Sequence, residues 1–150
     1  MDLMQIVMGF LGSLGFGVLF HLRGRKLIIA SLGGFASWTV FLALAGLIPG
    51  EAMRYFIAAA TVTVYAEVFA RILKTPTTTF LVVSLIPLIP GGALYYTMNY
   101  ALNEQWDRFV AQAFYTVELA FCLAVGIIAV TTLTRMIFAL QRRLRNRQKK

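Results

Sequence analysis

Residues that build soluble sites are scarce in this sequence. Among 150 residues there is one cysteine, Cys122, and one histidine, His21, and charged side chains make up only 13%. A single cysteine excludes an intrachain disulfide and a cysteine-based metal site, and a lone histidine cannot belong to a histidine metal cluster. No Walker motif, nucleophile elbow or Cys-x-x-Cys pair occurs. Gly15-Phe-Gly17 fails as a dinucleotide fingerprint, because no strand precedes it and Phe20 stands where a further glycine is required. No linker rich in Ser, Pro or Gly separates a soluble segment that could hold a nucleotide. The chain reads as a single domain that is not an enzyme, with no cofactor.

What is present is apolar. Hydrophobic residues make up 59% of the chain and the mean hydropathy is +0.76, so lipid is the expected solvent for most of it. A helix needs roughly 20 apolar residues to cross the hydrocarbon core, and such runs lie near Leu3 to Leu22, Leu27 to Ile48, Tyr55 to Leu73, Thr78 to Tyr100 and Phe109 to Leu140. The predicted fold is an all-α integral membrane protein of five transmembrane helices over residues 1–140, neighbours antiparallel because the loops are short. The first run follows no basic residue and ends in a basic cluster rather than a cleavage site, so it reads as a retained helix.

Arg23, Arg25, Lys26, Arg71, Lys74, Arg135 and the basic tail over 141–150 carry 12 of the 14 Lys and Arg on one side of these spans, against Arg54 and Arg108 on the other. The excess marks the cytoplasmic face, placing the amino terminus outside and the carboxyl terminus in the cytoplasm. The net charge of +8 is therefore a topology signal beside anionic lipid, and no nucleic-acid partner is expected.

Ser84-Leu-Ile-Pro87-Leu-Ile-Pro90-Gly91-Gly92 interrupts the fourth run. Each proline lacks an amide donor and clashes with the carbonyl four residues back, so regular helix cannot pass through. A half-helix starting at Pro90 would leave the amides of Gly91, Gly92 and Ala93 as a positive dipole end near the middle of the span, able to hold a carboxylate. A proline kink with glycines for packing is the plainer alternative. Tyr95 and Asn99, four apart, share a face behind this point.

Two carboxylates lie within apolar runs, where a charge costs on the order of 3 kcal/mol. Glu67 and Arg71 are spaced for an intrahelical ion pair. Glu118 has no cation within four residues, and either carries a proton, is hydrogen bonded while neutral, or faces a partner subunit. Small residues at intervals of four, Gly9, Ser13 and Gly17 in the first run with Ala30 and Gly34, Gly33 and Ser37 in the second, allow close helix approach.

Gly15-Phe-Gly-Val-Leu-Phe before a basic loop, Leu32-Gly33-Gly34, Glu67-Val-Phe-Ala-Arg71 with Pro76 after it, and Ile86-Pro87-Leu-Ile-Pro90-Gly91 together resemble the threonine/serine exporter family. Nearly the whole chain is covered, and it looks like the short subunit of the family's split form. His21-Leu22-Arg23 departs from the Asn-Val-Pro that often follows the first helix in the family. The resemblance implies a secondary transporter in the bacterial cytoplasmic membrane, driven by an ion or proton gradient. It would export small polar metabolites, hydroxy amino acids or dicarboxylates, and act with a larger partner subunit. Pro87, Pro90, Gly91, Gly92, Tyr95 and Asn99 are then the expected substrate-binding residues, and Glu67, Arg71 and Glu118 the expected coupling residues. A second copy of the chain is the other candidate partner, and a holin-like pore the other candidate function, although a pore needs neither buried carboxylates nor a broken helix.

Overall fold

The computed structural model describes residues 2–147, and the side chains of residues 3–140. The last three residues of the basic tail, 148–150, lie outside the described residues. Six α-helices and no strand occur among the described residues: α1 (Asp2–Leu19), α2 (Arg25–Ala43), α3 (Glu51–Ile72), α4 (Thr77–Leu85), α5 (Gly91–Leu102) and α6 (Trp106–Arg147). Short 3-10 turns extend α2 over Leu44–Gly46 and α4 over Ile86–Leu88.

Among the described residues, three helices are long and apolar enough to cross a membrane: Arg25–Gly46, Glu51–Ile72 and Trp106–Leu140. Thr77–Leu88 and Gly91–Leu102 pass the same test only as a pair, bent by 58° at the break. The apolar part of α1, Leu3–Leu19, is about 25 Å long at 1.5 Å per residue, a few ångströms short of a typical hydrocarbon core. It stops at Leu19 rather than Leu22 because the chain turns back there: the His21 amide reaches Val18 O and the Leu22 amide reaches Gly17 O, both at 2.9 Å. In the other direction, α3 and α6 begin earlier than the apolar runs do, at Glu51 and Trp106. An acidic residue in each first turn, Glu51 and Asp107, suits the positive helix end, and counting apolar residues alone overlooks such turns.

Interhelical contacts give each helix its direction. In α1 and α2, Gly17 faces Leu27, Ser13 faces Gly34 and Gly9 faces Trp38, so the two run antiparallel. The Phe41 and Tyr55 rings meet tilted at 57°, their centres 4.8 Å apart, and Tyr65 Oη donates to Ile29 O at 2.7 Å, so α2 and α3 are antiparallel as well. Tyr115 meets Glu51, Gly126 meets Phe56 and Ala59, and Phe138 meets Arg71, so α6 runs parallel to α3. The described chain ends therefore lie at opposite ends of the bundle.

The core is built from small residues. Ala30, Ala66 and Ala70 are buried with Phe80 and Val83 in one cluster, and Ala58 with Phe41, Tyr55, Leu88 and Leu119 in another. Without a hydrophobic drive between helices in lipid, close backbone approach and interhelical hydrogen bonds hold such a bundle. Ser84 supplies both: it packs on Gly33, and its Oγ donates to Ala30 O at 3.1 Å.

Candidate functional site

The break between α4 and α5 is built residue by residue from proline chemistry. Pro87 sits in the 3-10 turn, where its missing amide is tolerated, and Ile89 is extended (φ −64°, ψ 123°), as the residue before a proline prefers. Pro90 at φ −74°, ψ 59° is the centre of an inverse γ-turn, closed by the Gly91 amide donating to Ile89 O at 2.6 Å. The first helical bond of α5 is Leu94 N to Pro90 O at 3.0 Å. Of the three amides expected to be free, that of Gly91 is thus engaged, and those of Gly92 and Ala93 remain at the positive end of the helix. A Cβ added at Gly91 or Gly92 would meet nothing within 4 Å, so packing does not account for these glycines.

Gly92 and Ala93 line a cleft of about 360 Å³ whose walls come from four helices and the break. Trp38 of α2, Glu51 and Tyr55 of α3, Pro90 to Ala93 and Tyr96 at the break and on α5, and Gln112, Tyr115 and Leu119 of α6 line it. Tyr115 Oη donates a hydrogen bond to Glu51 Oε2 and fixes that carboxylate in the wall. The buried indole N–H of Trp38 has no partner among the described residues. Thr97 and Thr116 hydroxyls, 2.9 Å apart, tie α5 to α6 beside the cleft. A larger hollow of about 620 Å³ is walled only by the consecutive residues Glu104 to Arg108 of the α5–α6 turn, so no second element can close on a ligand there. By residue count the break has arms of equal length, but it lies level with the first turns of α3 rather than with that helix's middle.

The residues expected to act together divide into groups. Pro90, Gly91 and Gly92 line the cleft, whereas Pro87 lines a separate hollow between α1 and α2. Tyr95, 65% exposed, does not line the cleft, and Tyr96, itself 52% exposed, borders it instead. Asn99 does not join it either: its side-chain oxygen accepts from Asn103 Nδ2 at 3.1 Å. The 58° bend aims the following face of α5 away from where a straight helix would carry it.

Glu67 and Arg71 do meet, in an ion pair of 2.8 Å, and the Arg71 guanidinium lies 3.5 Å from the centre of the Phe138 ring. This assembly clamps α3 to α6 at the end opposite the cleft. Glu118 reaches neither group. It lies exposed on the outer face of α6, between Phe114 and Phe121, which are 73% and 66% exposed. Glu51, Tyr55, Tyr96, Gln112 and Tyr115 did not stand out in the sequence. Glu51 reads as a loop charge until α3 is seen to begin with it, and an aromatic residue in a membrane helix signals nothing by itself.

A family model described as Threonine/Serine exporter, ThrE, matches residues 5–133. Neither the curated proteins nor the solved structures contain a match to the chain.

Proposed function

The chain belongs to the threonine/serine exporter family, and from that premise we propose that it is the short subunit of a two-component secondary exporter of small polar metabolites, hydroxy amino acids or dicarboxylates. The observation that carries this reading is the break: a helix starts at a cleft lined by Gly92 and Ala93, whose amides belong to its unpaired first turn. Half-helix ends of this kind hold substrate carboxylates in transporters built on discontinuous helices.

In this reading α1, α2, α3, the α4–α5 pair and α6 make five spans. The amino terminus is outside and the basic end of α6 in the cytoplasm of a bacterial inner membrane. The alternating helix directions and the 12 of 14 Lys and Arg on one side support it. Only 11% of the most apolar window of α6 is buried, and a carboxylate on that surface is costly against lipid. The outer face of α6 therefore meets the larger subunit, and Glu118 carries the coupling proton there, while Glu67 is held by Arg71.

Proteoliposomes containing both subunits test the proposal. Threonine, serine or succinate efflux should accelerate when a proton gradient is imposed, and Gly92→Leu should abolish it while inserting normally. Efflux unaffected by Gly92→Leu would show that the cleft is not the path.

A further inference from the structure

The cleft holds a second charged group opposite the amides. Glu51 lines the wall across from the start of α5, oriented by the Tyr115 hydroxyl. Among the described residues its carboxylate ion-pairs with no cation; the one ion pair is Glu67 with Arg71. Arg54, three residues on, is turned instead toward the Phe41 ring, 5.2 Å from its centre. Tyr55, Tyr96 and Trp38 complete the wall. A carboxylate beside aromatic side chains and held in no ion pair among the described residues is a receptor for an ammonium group, which gains a charge-assisted hydrogen bond from one and cation–π attraction from the others.

We propose that Glu51 recognises the substrate's ammonium, so that the cleft selects α-amino acids over dicarboxylates. The inference rests on the exporter reading and narrows its substrate class. An amino-acid zwitterion places its carboxylate at the Gly92 and Ala93 amides and its ammonium at Glu51. A dicarboxylate sets a second negative charge against Glu51, and the two repel. The cleft, about 360 Å³, lies at the small end of ligand-site sizes, roughly 300 to 1,000 Å³.

Trp38 lines the cleft and the only other tryptophan, Trp106, heads α6, so a Trp106→Phe chain in nanodiscs reports on the site by fluorescence. Titrations with L-threonine, N-acetyl-L-threonine and succinate separate the two charges. Threonine should bind saturably, and the two ligands without an ammonium at least about tenfold more weakly. Glu51→Gln keeps the shape and an acceptor for Tyr115 but removes the charge. It should weaken threonine by about tenfold or more and leave succinate unchanged or tighter. Equal threonine affinity in Glu51→Gln, with binding lost in Gly92→Leu, overturns the role of Glu51 and spares the cleft. Wild-type binding of N-acetyl-L-threonine as tight as that of threonine also overturns it. Binding of none of the three by the wild type overturns both the cleft and the inference.

Discussion

Gly126 shows how a single missing side chain positions a helix. A Cβ built there would lie 2.7 Å from Phe56 O and 3.2 Å from the Ala59 Cβ. The obstacle is backbone of α3, which cannot rotate aside as a serine hydroxyl can. Gly126→Ala should therefore cost about 1–3 kcal/mol through overpacking, read as a lower midpoint of thermal unfolding in detergent. Gly12 is the control, since a Cβ there meets nothing within 4 Å, and Gly12→Ala should leave the midpoint unchanged or slightly raised. The small-residue stripes that pack α1 and α2 could be read from spacing alone, because they repeat every four residues. The helix ends could not. His21, Lys74 and Glu104 all take positive φ, at 58°, 49° and 55°, and each closes a helix by a paired bond to the preceding turn. At Glu104 the bonds are Glu104 N to Ala101 O at 3.2 Å and Gln105 N to Tyr100 O at 2.9 Å. Glycine is the usual signal for that closure, and none stands at these positions.

At the scale of the element, the α4–α5 break depends on two prolines acting in sequence: Pro87 ends the regular helix and Pro90 turns the chain. The interruption was legible in the sequence because proline removes a donor and clashes wherever it sits in a helix. Which amides stay free was not, since the γ-turn that engages Gly91 depends on the Pro90 dihedrals. Nor was the face of α5 that borders the cleft, because it depends on how the chain turns through the bend of 58°, after which Tyr96 borders the cleft and Tyr95 does not. Replacing both prolines by alanine lets α4 run on into α5, pairing the Gly92 and Ala93 amides with carbonyls four residues back. The Pro87→Ala/Pro90→Ala chain should insert and fold at least as stably, with threonine efflux reduced about tenfold or more. Efflux within twofold of wild type would mean that the free amides are not used.

For the whole molecule, the exposed face of α6 decides whether this bundle works alone. Phe114, Glu118 and Phe121 lie together on that face. Against lipid, Glu118→Leu would remove a cost on the order of 3 kcal/mol and change nothing else. Against a larger subunit that offers a donor, the same substitution should sharply reduce the amount of that subunit recovered with a tagged, co-expressed chain. Undiminished recovery would place the interface elsewhere. The central claim concerns the cleft, and Ala93, beside the free amides, is the position from which to test it. With Cys122→Ala removing the native thiol, alkylation of an Ala93→Cys chain in vesicles can be timed with and without L-threonine, using Glu104→Cys in the α5–α6 turn as the control. Saturating threonine is expected to slow the reaction at position 93 and leave position 104 unchanged; equal rates at position 93 in vesicles that export threonine would contradict the account.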